Sequence, residues 1–194
     1  MKYYKTTNRE ETHNGLQYHD GLNVDVLPFD PDGSCKPGGI YFSREDILAF
    51  PNYWLREVTI PDGEEIYQDP QPPRKWKAHQ VILGKRRKFW TVANIQRLLR
   101  DGADPKAYDS EALLVAARQG HLAIVKLLLP VSDQKALESL ALRWAARHGH
   151  LAIVKLLLPV SDPKAYESAA LRWAARNGHH KVVAAINEYI QKGD

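Results

Sequence analysis

KALESLALRWAARHGHLAIVKLLLPVSDP, Lys135 to Pro163, decides the fold because the chain repeats it on both sides. Lys106 to Gln134 reads KAYDSEALLVAARQGHLAIVKLLLPVSDQ, and Lys164 to Ile190 reads KAYESAALRWAARNGHHKVVAAINEYI. The period is 29 residues, with Gly-His pairs at Gly120-His121, Gly149-His150 and Gly178-His179. A fixed period of this size predicts stacked supersecondary units, each touching its neighbours, rather than one globular body.

Each unit reads as two short helices. Leu140, Leu142, Ala145 and Ala146 supply the apolar side of the first, and Gly149 stops it, since glycine takes the left-handed conformation of a helix end at little cost. Leu151, Val154, Leu157 and Leu158 then fall at i, i+3, i+6 and i+7, one apolar face, before Pro159 ends the ladder. The small Ala145-Ala146 pair lets the two helices approach closely. One such unit cannot cover its own apolar face, so neighbours must. In the last unit polar Asn187 and Glu188 stand where Leu158 and Pro159 stood, which reads as a wettable cap at which the array is expected to end.

The order Ala-Leu-x-Trp-Ala-Ala-x-x-Gly-His-Leu-x-Ile-Val-Lys-Leu-Leu resembles the ankyrin repeat over about residues 91–194. Val92, Ile95, Leu98 and Leu99, followed by Asp101-Gly102-Ala103-Asp104, resemble a second ankyrin helix and its exit turn. The resemblance implies an all-α solenoid whose function is recognition of a protein partner. The chain departs from the family in two ways. Its period is short of the usual ~33 residues, the loss falling between Pro130 and Ser139, where the family has its β-hairpin finger. The family's Thr-Pro-Leu-His also reads Glu111-Ala112-Leu113-Leu114, Leu140-Ala141-Leu142-Arg143 and Ala169-Ala170-Leu171-Arg172.

The first half has another character. Asp30-Pro31-Asp32-Gly33-Ser34 reads as a turn and Gly38–Phe42 as a short strand. Ser43 is placed to cap a brief helix containing Glu45 and Asp46. Trp54–Ile60 and Trp76–Leu83 alternate as strands do, and Glu65-Ile66-Tyr67 reads as another. The expectation is a small α+β domain over residues 1–88 and an array over 89–194, the former covering the first repeat as its cap. Gly15-Leu16-Gln17-Tyr18, Gly21-Leu22-Asn23, Cys35–Phe42 and Trp76-Lys77-Ala78 resemble the N-terminal domain of ankyrin-repeat proteins that giant DNA viruses of amoebae encode. That likeness implies a viral protein whose partner belongs to the host, and it brings no assigned chemistry.

Charge is uneven. Residues 1–70 carry 6 Lys and Arg against 13 Asp and Glu, while residues 71–90 carry seven basic residues and no acidic one. Arg74, Lys75, Lys77, Lys85, Arg86, Arg87 and Lys88 offer a nuclear-localisation or phosphate-binding stretch, flanked by Trp76 and Trp90. The acidic first 70 residues are an alternative, internal partner for those charges. No apolar run approaches the ~20 residues of a membrane span. Met1–Lys5 is followed by no apolar core of a secretory signal. The lone Cys35 makes neither an intrachain disulfide nor a Cys-x-x-Cys site. The expected setting is intracellular, the host cytoplasm with the nucleus as alternative.

Eight residues are candidates for partner contact: Arg118, Gln119, Arg143, Arg147, His148, Arg172, Arg176 and Asn177. Most of them vary on an otherwise repeated frame, and arginine is frequent among interface hot spots. Trp144 and Trp173 read as packing between adjacent first helices. His121, His150 and His179 recur one unit apart, roughly 10 Å between packed helices, too far to share one zinc bound at ~2.0–2.1 Å. They read as structural. His13, Gly15 and Gly39–Ser43 are similar to elements of ADP-ribosyltransferases of the poly(ADP-ribose) polymerase type, which would imply an NAD-binding N-terminal domain. No acidic residue stands in 71–90 to act as the late catalytic glutamate. Asp30 and Asp32 do not begin a calcium loop, because its twelfth position is Tyr41. No phosphate loop or His-Glu-x-x-His helix is present. The expectation is a binding protein without catalysis, cofactor or metal.

Overall fold

The computed structural model describes residues 2–31 and 36–193. Asp32, Gly33, Ser34 and Cys35, on which part of the turn reading and the lone-cysteine reading fall, lie outside the described residues. The chain forms two compact units, Met1–Tyr108 and Asp109–Asp194.

The first unit is strand-rich. β1 (Tyr3–Thr7), β6 (Trp54–Thr59), β9 (Gln80–Leu83) and β4 (Gly21–Val24) form an antiparallel sheet in that order, and β10 (Arg87–Lys88) pairs β6. β5 (Ile40–Phe42), β8 (Trp76–Ala78) and β7 (Tyr67–Gln68) form a second sheet, while β2 (Thr12–His13) and β3 (Leu16–Gln17) make a hairpin. The hairpin turns on Asn14 and Gly15, both at positive φ, as a tight two-residue turn requires. Both main sheets contribute to one core. Ile40, Phe42, Val58, Trp76, Ala78, Val81 and Leu83 meet there with Leu16 and Tyr18.

The expected strand over Trp76–Leu83 is two strands, 76–78 and 80–83, in different sheets. Between them the His79 N–H donates to Glu64 Oε1 at 2.8 Å. The expected Ser43 cap is also corrected. Ser43 Oγ donates to the Arg74 carbonyl at 2.7 Å, and its backbone bridges Tyr4. The 3-10 helix Glu45–Ala49 that follows has no side-chain cap.

Helix α1 (Val92–Arg100) closes this unit. Thr91 caps it by accepting from the Asn94 N–H, and Ile95 and Leu98 are fully buried. Arg97 pairs Glu57 of β6 at 2.6 Å, and the Tyr4 hydroxyl donates to Asp101 just beyond the helix.

The second unit is the predicted array. α2 (Ala107–Gln119), α4 (Ala136–Arg147) and α6 (Ala165–Arg176) are the first helices, and α3 (Leu122–Leu128), α5 (Leu151–Leu157) and α7 (His180–Gly193) the second. Ala141, Leu142, Ala145, Ala146, Ile153, Val154, Leu157 and Leu158 are at most 3% exposed, so the seam between repeats within this unit is dry. A short 3-10 turn, Leu158–Val160, carries Pro159 past the end of α5.

Three devices link one repeat to the next. Ser110 Oγ accepts from the Asp133 N–H, and Ser139 Oγ from the Asp162 N–H, both at 2.9 Å. His150 Nε2 lies 3.0 Å from the Arg118 carbonyl, and His179 Nε2 lies 3.0 Å from the Arg147 carbonyl. Gly120 and Gly149 leave room for those imidazoles, since a Cβ there would fall 2.7 Å from His150 and 2.6 Å from His179.

The missing finger is replaced by a left-handed turn. Leu137, Glu138 and Ser139 have φ of 48 to 59°, and Tyr166, Glu167 and Ser168 repeat it at 53 to 55°. Each such residue costs about 1–2 kcal/mol for an L-amino acid. The turn reverses the shortened connector within three residues and aims the serine at the next unit.

Candidate functional site

The first helices α2, α4 and α6 each end in an arginine followed by a residue that differs between repeats (Gln119, His148, Asn177), and the fold leaves all six exposed. Arg118, Arg147 and Arg176 occupy equivalent helix ends, and all three are exposed. The Arg118 guanidinium stands 5.8 Å from the Trp144 ring of the next repeat. One period on, Arg147 stands 5.5 Å from the Trp173 ring, and it also lies 5.0 Å from Trp144 on its own helix. The two indoles are 5.8 Å apart and inclined at 48°. Cations and rings therefore alternate along the stack, an arrangement in which the π-faces attract and orient the guanidiniums. Trp144 and Trp173 are half-buried, and pack between adjacent first helices as expected.

The eight candidate residues divide. Arg118, Arg147 and Arg176 form no ion pair among the described residues, in contrast to Arg172, which lies 3.7 Å from Glu167 and donates to the Tyr166 carbonyl. Gln119 Oε1 is 3.0 Å from His121 Nε2. His148 Nδ1 is 2.9 Å from the Trp144 carbonyl, and Asn177 Nδ2 donates to the Trp173 carbonyl at 2.7 Å, so both tie off their helix ends while staying exposed. Arg143 departs from the expectation of a surface contact, being only 8% exposed. It reaches back to the left-handed turn, donates to the Leu137 carbonyl at 2.5 Å and lies 4.9 Å from the Tyr166 ring. A side chain long enough to satisfy a carbonyl in the strained turn is drawn inward. Two exposed apolar residues on those turns, Leu137 and Tyr166, escaped the reading, and only their three-dimensional setting reveals them.

The other candidates are placed elsewhere. The basic stretch is largely neutralised from within. Arg74 holds Asp46 at 2.8 Å, Lys75 holds Asp69 at 3.2 Å, Arg87 holds Glu57 at 2.8 Å, and Arg86 holds Glu11 at 3.1 Å. Glu11 also receives a two-pronged contact from the buried Arg56, which binds Asp20 as well. Burial opposes the charge of Glu11, but Arg56, Arg86 and Thr7 together hold its carboxyl below the ordinary range.

His13 and Tyr41 both come near Lys5. Lys5 Nζ donates to the Tyr41 carbonyl at 2.8 Å and lies 4.5 Å from the Tyr18 ring. Burial lowers its ammonium to about 7, with Asp25 opposing. Burial and then the Lys5 charge hold His13 below its ordinary value. The Tyr41 hydroxyl donates to the Lys36 carbonyl at 3.2 Å, an internal use of that group. Among the described residues no cluster of three or more His, Cys, Asp or Glu could hold a metal ion, and no helix is long and apolar enough to cross a membrane.

Comparison with known proteins agrees with this geometry. The family model for ankyrin repeats in three copies matches residues 91–166 and 113–193. Two ankyrin repeat proteins of Acanthamoeba polyphaga mimivirus are 35% and 34% identical, over 130 and 135 residues. The aligned regions cover 62% and 66% of this chain but only 42% and 66% of those proteins. A further mimivirus protein, described only as uncharacterized, is 34% identical over 133 residues, covering 66% of this chain and 96% of its own. With its dry seam of helical pairs, its serine and histidine links between repeats and these relatives, the chain belongs to the ankyrin-repeat family.

Proposed function

We propose that the array, residues 89–194, is a docking platform for a protein of the host cell, engaged through the ends of the first helices. One observation carries this reading. In the first unit Arg44, Arg56, Arg74, Arg86, Arg87 and Arg97 each hold a carboxylate, whereas Arg118, Arg147 and Arg176 hold none among the described residues. Exposed arginines stacked on half-buried tryptophans are the residue types that dominate interface energies. The mimivirus relatives support a viral protein acting inside an amoeba, in the cytoplasm or nucleus. The reading needs no catalysis or cofactor, and the internal pairing of the 74–88 stretch argues against a nucleic-acid partner.

The test is capture of partners from amoebal lysate by the full chain, beside the chain carrying Arg147→Glu and Arg176→Glu. Both positions are exposed, so the melting temperature is expected to stay within a degree or two while capture is lost. Capture that persists through both reversals refutes the face.

A further inference from the structure

We propose that the face formed by Arg118, Trp144, Arg147, Trp173 and Arg176 binds an acidic peptide segment in polyproline II conformation, with a carboxylate at every third residue. This inference rests on the docking role argued above and names the partner's chemistry. The charge is one-sided. Three guanidiniums stand exposed with no ion pair among the described residues, although Glu111 lies within electrostatic reach of Arg118, and a guanidinium edge takes a carboxylate in a two-pronged, charge-assisted pair. Stacking on the Trp144 and Trp173 rings fixes the plane of Arg147 beforehand, so less freedom is lost on binding.

The spacing selects the conformation. Equivalent arginines sit one repeat apart, and neighbouring packed helices are separated by ~10 Å. A polyproline II segment rises ~3.1 Å per residue with three residues per turn, so side chains at i, i+3 and i+6 point the same way at ~9 Å intervals. A β-strand rises a similar distance, but its residues i and i+3 face opposite sides. An α-helix offers the interval only at i and i+7, and so short a helix is marginal alone.

The probe is a fluorescein-labelled peptide of four Glu-Pro-Pro triplets, compared by anisotropy at low salt with a peptide of identical composition whose glutamates are contiguous, and with a helical peptide carrying glutamates seven apart. The triplet peptide is expected to bind the full chain at least ~10-fold more tightly than either control. Arg147→Glu should weaken it more than ~10-fold. Arg147→Lys should weaken it several-fold, because lysine keeps the charge and loses the planar fork. Arg176→Glu repeats the test should Arg147→Glu disturb the stack. Equal affinity for the triplet and contiguous peptides overturns the proposal, as does preference for the helical one. If the triplet peptide fails to bind while lysate capture still depends on Arg147 and Arg176, the docking face stands and the peptide class falls. If neither binds nor depends on them, both fall.

Discussion

Gly149 and Gly178 form a natural control pair for the link between repeats. Both end a first helix at nearly the same positive φ, +73° and +72°. Alanine at either position meets the same backbone strain, about 1 kcal/mol. Their surroundings differ. A Cβ at Gly149 would lie 2.6 Å from His179 Nδ1 and 2.7 Å from its Cε1, while a Cβ at Gly178 meets nothing within 4 Å. To admit the methyl, His179 must leave its place 3.0 Å from the Arg147 carbonyl. That contact is worth about 1 kcal/mol net, and forcing a packed junction apart costs about 1–3 kcal/mol more. Gly178→Ala is therefore expected to destabilise the array by about 1 kcal/mol and Gly149→Ala by about 3–5 kcal/mol. Urea unfolding followed by the helical circular dichroism signal measures both. With a slope of ~2 kcal/mol per molar, the midpoints should differ by about 1–2 M. Adding His179→Ala to Gly149→Ala removes the clash and should recover most of the difference, a non-additivity of about 2 kcal/mol. Equal losses at the two glycines, within about 0.5 kcal/mol, would falsify the stacking contact as the reason for glycine at position 149.

Three further outcomes follow from the first unit. The folded state holds Lys5 near 7 against an ordinary 10.5, so between those values the unfolded chain carries a proton that the native chain has shed. Stability should accordingly rise with pH from about 7, by roughly 2 kcal/mol between pH 7 and 9, and urea midpoints of Lys5→Met should lack that rise. Glu11→Ala leaves the guanidinium of Arg56, whose side chain is only 2% exposed, without its two-pronged partner, and a loss of about 3–5 kcal/mol in thermal or urea unfolding is expected. Because Arg74, Lys75, Arg86 and Arg87 are engaged with carboxylates, the protein should elute from a DNA column below physiological salt; retention beyond that, with a steep salt dependence, would restore the phosphate-binding reading of this stretch.

The array was legible before any coordinates because its information is local and repeated. Gly149 stops one helix, Pro159 stops the next, and Leu151, Val154, Leu157 and Leu158 share a face whatever lies beyond them. The first unit was legible only in outline. Its strands are short, and their pairing joins residues far apart, such as Tyr3 with Val58 and Gly21 with Leu83. Nothing near Trp76–Leu83 announces that the run divides between two sheets at His79. The Asn14-Gly15 pair did carry a strong local hairpin signal, whereas the release of Ser43 from capping depended on Arg74, 31 residues away.

The candidate face shows the same division. Sequence alone set the helix ends at 118, 147 and 176 in register, since a 29-residue period on a stacked frame leaves equivalent positions side by side. Which cations stay free is a different kind of fact. Arg86 finds Glu11 across 75 residues, and Arg143 turns inward to the Leu137 carbonyl, while Arg147 rests on two tryptophans and keeps its edge in water. A formal charge is written in one residue, but its neutralisation needs a second group brought within a few ångströms, and only the folded chain decides that distance.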